Sequence, residues 1–188
     1  MTLAELLDLL ARTLDAHGIP YMLTGSLASS FHGVPRATQD IDVVVDATAG
    51  ALLEAGEALR DAGLYVSDEA IGEAVASGGI FNAVDPGSGW KVDFVMRKDR
   101  PFSRSEFESR RSIDFMGVHI GIARAEDMVV AKLEWAKLGD SERQIRDVAE
   151  LLRVQGRALD QERIERWVGE LGLSEEWGQA RKLAERGG

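Results

Sequence analysis

The sequence predicts a mixed fold of class α/β (α+β): a short mixed β-sheet flanked by helices, followed by a helical C-terminal part. Two patterns carry this expectation. Up to about residue 122, short apolar runs with strand character alternate with segments of helical period, whereas from Arg124 onward only the helical period remains. Composition supports a packed core, since 45% of the 188 residues are hydrophobic and 29% charged, far from the polar bias of a disordered chain. The expected division is an α/β core over 1–122 and a helical region over 123–188 packed on it.

Leu3, Leu6, Leu7, Leu10 and Leu14 recur at helical spacing, so the chain should open with an amphipathic helix ending near His17-Gly18. Tyr21 to Thr24, apolar and placed after Pro20, predicts a buried strand turning at Gly25-Ser26 into a helix over Leu27 to Phe31. A loop with Gly33 and Pro35 follows. Asp40 to Asp46 then reads as a strand whose Ile41, Val43, Val44 and Val45 suit burial on both faces. Leu52, Leu53 and Leu59 place a helix over about Ala49 to Ala62, with Gly63 as its stop.

Between Leu64 and Val95 two or three strands are expected, broken at Gly78-Gly79 and at Asp85-Pro86-Gly87-Ser88-Gly89, the last running from Trp90 to Met96. Arg97 to Ser105 is charged and reads as irregular. Ile113 to Ile122 resembles a hairpin turning near Gly117. A helix from Ala125 to Leu138 comes next, then one opening at Ser141, where Ser141 and Gln144 fit a capping box and Val148, Leu151 and Leu152 form the apolar stripe. Two further helices run through Ile164, Trp167, Val168 and Leu171, and from Ser174 through Trp177 and Leu183.

Charge and composition narrow the function classes. A net charge of −10 argues against tight non-specific binding to a nucleic-acid backbone, which needs clustered Lys and Arg. The absence of cysteine rules out disulfides, thiolate zinc sites and cysteine nucleophiles. No apolar stretch is long enough for a membrane span, and Met1 to Leu10 carries Glu5 and Asp8 without a basic flank, unlike a signal peptide, so a cytoplasmic protein with no membrane partner is expected. His17, His32 and His119 lack metal-ligand spacing, no Gly-x-x-x-x-Gly-Lys loop occurs, and Ser26 is not in a Gly-x-Ser-x-Gly elbow.

Three aspartates remain. Asp40 and Asp42 lie two apart on a predicted strand, which puts both carboxylates on one face. Like charges held that close repel unless a cation lies between them, and hard divalent cations such as Mg²⁺ or Mn²⁺ prefer carboxylate oxygens together with phosphates. An isolated Asp-x-Asp is more often the start of an exposed edge strand. Here Gly25-Ser26 precedes it on a strand-to-helix turn, where backbone N–H groups and the Ser hydroxyl can hold phosphate oxygens. Asp93, in Lys91-Val92-Asp93-Phe94-Val95, supplies a third carboxylate on the same strand face as Lys91. If that strand neighbours Asp40 to Asp46, the three acids can hold two metal ions.

The run from Tyr21-Met22-Leu23-Thr24-Gly25-Ser26 to Arg36-Ala37-Thr38-Gln39-Asp40-Ile41-Asp42-Val43 resembles the signature of the DNA polymerase β-like nucleotidyltransferase superfamily. Within it, the chain is most similar to small bacterial members related to AbiEii-type toxins and to antibiotic nucleotidyltransferases. The similarity covers residues 19 to 46 and 90 to 96, with a looser echo in the helices to residue 153. It implies the nucleotidyltransferase fold and the transfer of a nucleoside monophosphate from an NTP, such as ATP, to an acceptor hydroxyl. Under that resemblance Gly25 and Ser26 hold the triphosphate, Asp40 and Asp42 bind both metals, and Asp93 completes the second position and helps deprotonate the acceptor. Arg36 would neutralise phosphate charge, or stand as a solvated loop arginine. Lys132, in an apolar helical context, resembles a lysine that reaches the phosphates in toxin-like relatives, and equally fits a lysine snorkelling from a helix flank. Asp147 resembles part of a Lys/Arg-Asp motif in those relatives, against the plainer reading of an i,i+4 surface pair with Arg143. Lys137 reads as surface.

Three outcomes stay open on the sequence. The chain is a nucleotidyltransferase with a small-molecule, tRNA or protein acceptor, a toxin–antitoxin component, or a nucleotide-binding module without turnover. Trp90, Trp135, Trp167 and Trp177 read as core or interface anchors; the oligomeric state stays open, and a homodimer burying some of them would be unsurprising.

Overall fold

The structure, a computed structural model, describes residues 1–35 and 37–186. Among these the strands form one seven-stranded mixed sheet, ordered β3-β4-β5-β2-β1-β7-β6. The described chain divides into two compact units. One consists of Met1–Leu27 and Ala37–Ala123; the other contains the remaining described residues. Residues from Ala28 to Pro35 therefore go with the C-terminal helices rather than with the sheet. No helix among the described residues is long and apolar enough to cross a membrane.

In the first unit, α1 (Leu3–Ala16) begins with the capping box that Thr2 and Glu5 make and buries Leu6, Leu7, Leu10 and Leu14. β1 (Tyr21–Thr24) runs directly into α2 (Gly25–Phe31), of which Gly25, Ser26 and Leu27 belong to this unit. β2 (Asp40–Val45) follows, then α3 (Ala49–Asp61), capped by Thr48. β3 is a short edge strand, Tyr65–Val66. Next come β4 (Ile80–Val84) and β5 (Lys91–Met96), and a hairpin of β6 (Arg111–Phe115) and β7 (Val118–Ile122) completes the sheet.

Three expectations change in this unit. β2 is not buried on both faces: Ile41, Val43 and Val45 are buried, while Asp40 is exposed and Asp42 and Val44 are half-buried. One face of the sheet packs into the core under α1 and α3, and the other carries the acids, so alternation replaces two-sided burial. The second change is a helix, α4 (Asp68–Ser77), between β3 and β4, where only strands were expected. Its apolar stripe is thin, with only Ile71 and Ala74 buried, and Gly72 and Val75 weaken the helical signal. Ser67 nevertheless caps it by accepting from the Ala70 N–H, with Asp68 and Glu69 in the first turn. Third, the charged segment after β5 is not irregular throughout. It holds α5 (Pro101–Glu108), which starts on Pro101 and buries Phe102 and Phe107.

The core face of the sheet joins Tyr21 and Leu23, Ile41, Val43 and Val45, Val92 and Phe94, and Phe81 and Ala83. The Phe81 and Phe94 rings stack at 4.7 Å between centroids across β4 and β5. Both lie on the strands that bring Asp93 to its place.

The second unit is helical: α6 (Ala125–Gly139), α7 (Glu142–Gln155), a 3₁₀ turn at Gly156–Ala158, α8 (Gln161–Leu171) and α9 (Ser174–Arg186). Trp167 and Trp177 are buried in it, whereas Trp135 is 56% exposed on α6. The loop after α2 packs on α7. A Cβ at Gly33 would lie 2.6 Å from Val154 Cγ1, and Gln155 Nε2 donates to the His32 carbonyl at 2.6 Å. The expected capping box at Ser141 is absent: Ser141 is the N-cap, but its side chain makes no cap hydrogen bond and buried Gln144 Oε1 accepts none. The Gln144 backbone N–H donates to the Ser141 carbonyl at 3.1 Å.

Asp127, 0% exposed at the start of α6, accepts from Arg163 Nε at 2.8 Å and Nη2 at 3.0 Å, a bidentate pair that ties α6 to α8. Removing one partner takes from the other its bidentate counter-ion. Asp127→Ala should therefore destabilise the protein by about 3–5 kcal/mol. Urea denaturation followed by circular dichroism checks this, and a loss below about 1 kcal/mol would show that the pair contributes little.

Candidate active site

Register brings the predicted acids together. β2 and β5 are neighbours and run parallel, with Asp42 opposite Asp93 and Asp40 opposite Lys91. β1 pairs with β2 so that Thr24 lies opposite Asp42, and β4 pairs with β5 so that Asn82 lies opposite Asp93. A polar row, Thr24, Asp42, Asp93, Asn82, thus crosses four strands on the face opposite the core. Neighbouring strands lie about 4.8 Å apart, so the Asp42 and Asp93 side chains leave the sheet side by side on one face.

Gly25 follows Thr24 with φ +64°, the left-handed region that favours glycine. A Cβ there would lie 1.9 Å from Asp42 Oδ2 and 2.5 Å from its Cγ. The Asp42 carboxylate therefore rests against the Gly25 backbone, at the turn into α2, and Ser26 is the next residue. The strand pairing and this close approach place Gly25, Ser26, Asp40, Asp42 and Asp93 at one end of β1, β2 and β5.

Hydrogen bonding organises the acids further. Asp93, with its side chain 18% exposed, accepts from Lys91 Nζ through Oδ2 at 3.0 Å and from Asn82 Nδ2 through Oδ1. The same Lys91 ammonium lies 3.5 Å from Asp40 Oδ1. The hydrogen bond to Asp93 raises the Lys91 pKa above its ordinary value; partial burial pulls the other way, and the Asp93 and Asp40 charges add to the rise. Thr38 Oγ1 accepts from the Asp40 N–H at 3.0 Å, fixing the start of β2.

Sequence reasoning missed Asn82 as a partner of Asp93 and missed the bridging role of Lys91. The alternation of Ile80, Asn82 and Val84 on β4 shows that Asn82 shares a face with its neighbours two away, but only the pairing of β4 with β5 reveals what it meets.

Arg36 is outside the described residues. Lys132 belongs to the helical unit, where it is 8% exposed and donates to Asp147 Oδ2 at 3.0 Å. Asp147 is itself buried, so it is not a surface partner of Arg143; α7 turns it inward onto α6. Lys137 is exposed and donates to the Gly172 carbonyl at 2.8 Å.

As the side chains stand, no group of three or more His, Cys, Asp or Glu among the described residues is placed to hold a metal ion. The Lys91 ammonium stands between two of the acids, Asp40 and Asp93. In kind, the set fits a hard divalent cation: every acidic donor is a carboxylate oxygen, and a cation already sits among them. Asp42 and Asp93 are register partners with no residue between them.

No protein-family profile matches this sequence, and neither does any curated protein. Solved structures do resemble it. The solution structure of the antibiotic-resistance factor ANT(2'')-Ia aligns with a TM-score of 0.61 at 14% identity, over 89% of this chain and 90% of that one. An antigenic nucleotidyltransferase-like protein from Paracoccidioides brasiliensis aligns at 0.57 and 15% identity, over 95% and 91% of the two chains. A crystal structure of ANT(2'')-Ia in complex with adenylyl-2''-tobramycin aligns at 0.51 and 13% identity, over 100% of both. At these identities the likeness concerns architecture, and the mixed sheet with its flanking helices is that of the nucleotidyltransferase fold.

Proposed function

We propose that this protein is a nucleotidyltransferase that moves a nucleoside monophosphate from an NTP to an acceptor hydroxyl. The observation that carries the reading is the pairing of Asp42 with Asp93 on neighbouring strands, beside Asp40 and the Gly25 turn. Asp40, Asp42 and Asp93 would hold the divalent cations, Mg²⁺ or Mn²⁺, which when bound neutralise triphosphate charge and acidify the attacking hydroxyl.

The chain's own residues do the rest. Gly25, without a side chain, lets the triphosphate approach the backbone beside Asp42, and the Ser26 hydroxyl donates to a phosphate oxygen. Asp93, oriented by Asn82, takes the proton of the acceptor hydroxyl. The acceptor oxygen then bonds to the α-phosphorus as the bond to the bridging oxygen breaks, and pyrophosphate leaves. Lys132, paired with Asp147, is assigned to the scaffold of the helical unit.

A small-molecule hydroxyl is the acceptor class favoured here. The net charge of −10 disfavours a polyanionic acceptor, and ANT(2'')-Ia, similar in fold, is seen with adenylyl-2''-tobramycin. The test supplies purified protein with Mg²⁺, each of four α-labelled NTPs, and tobramycin, tRNA or a lysate small-molecule fraction in turn. Label should move to a small molecule with release of pyrophosphate, and Asp42→Asn should not transfer it. Equal labelling by both proteins would sink the proposal.

A further inference from the structure

Lys91 touches two acids of the candidate site through its ammonium. Its side chain is 40% exposed and lies on β5 two residues before Asp93, so both point from the same face of the strand. The ammonium contacts Asp93 Oδ2 at 3.0 Å and Asp40 Oδ1 at 3.5 Å. It therefore spans an acid on each of two adjacent strands.

An ammonium at that point and a divalent cation on the same carboxylates compete, because both draw on the same negative charge and repel each other at short range. Lysine suits exchange better than arginine does: its ammonium is a point charge on a flexible four-carbon stem, without a fork that locks onto a carboxylate. Neither contact is deeply buried, so the side chain can leave without stranding a charge in the core.

We propose that Lys91 is a displaceable internal cation, which joins Asp40 to Asp93 in the metal-free protein and must yield its place when a divalent cation is bound. The proposal rests on the reading of Asp40, Asp42 and Asp93 as the metal-holding set. Lys91 is a positioning residue that keeps the carboxylates assembled without metal and weakens metal affinity by competition.

Direct binding of Mn²⁺ alone, measured by electron paramagnetic resonance of the free ion and by calorimetry, tests it without any substrate. Lys91→Met keeps the stem and removes the charge. It should bind Mn²⁺ about tenfold more tightly than wild type, since each of two partly exposed ion pairs is worth a few-fold. Lys91→Arg, which keeps the charge and adds a fork that holds a carboxylate, should bind Mn²⁺ no more tightly than wild type, and Lys98→Met, which removes a charge beyond the far end of β5, should stay within about twofold. Without metal, Lys91→Met should melt at a lower temperature than wild type, and Mn²⁺ should restore more of its stability.

Unchanged or weaker Mn²⁺ binding by Lys91→Met, with binding lost in Asp42→Asn, would overturn the Lys91 inference and leave the proposed function standing. Equal gains from Lys91→Met and Lys98→Met would also overturn it, because net charge rather than position would then be the cause. Indifference of Mn²⁺ binding to Asp42→Asn would remove the metal-holding set and both readings with it.

Discussion

Replacing Asp42 with Asn is expected to lower nucleotidyl transfer by about 10³-fold while the protein stays folded. Asp42 sits in the middle of the polar row, opposite Asp93 on one side and Thr24 on the other, with its carboxylate against Gly25. The amide keeps the shape and removes the charge. A loss of about 4 kcal/mol of transition-state stabilisation, typical when one fixed electrostatic contact is deleted, corresponds to that factor. Stability should hold or rise slightly, because one of several clustered carboxylates is neutralised. Pyrophosphate release, read beside a thermal melt of the same sample, separates the two effects. Activity within about tenfold of wild type would mean that Asp42 does not serve the reaction.

The second large effect is expected from Gly25→Ala, through two separate causes. At φ +64° any L side chain is strained, by about 1–2 kcal/mol. The added methyl would also lie 1.9 Å from Asp42 Oδ2, so the carboxylate must move. A displacement of about 1 Å at a catalytic group can cost about 10²-fold in rate. The variant should thus melt lower than wild type and lose most of its transfer activity. Ser26→Ala makes the comparison, since it removes a hydroxyl and leaves Asp42 in place. If Gly25→Ala were as active as Ser26→Ala, close approach at this turn would not matter.

Much of the architecture was legible because local pattern is strong where burial is strong. The leucines of α1 and the stripe on α8 each bury one face, Tyr21 to Leu23 is buried throughout, and spacing and apolar run place these elements. α4 and α5 were not legible. Each buries few large apolar groups, Ile71 alone in α4 and two phenylalanines in α5, so local composition resembled strand or loop until the sheet fixed their place. Asp147 shows the same limit. Its spacing from Arg143 fits an exposed pair, yet packing of α6 against α7 turns it inward to Lys132.

For the candidate site the division falls at the boundary between one strand and the next. That Asp40 shares a face with Asp42, and Lys91 with Asp93, is a property of any β-strand and needs no partner. That Asp42 meets Asp93, that Asn82 holds the far oxygen of Asp93, and that Lys91 reaches across to Asp40 depend on which strands pair and in what register. Alternation along a strand is set by the local backbone, whereas pairing joins separate segments, about fifty residues apart for β2 with β5, and packing of the whole sheet on its core selects it.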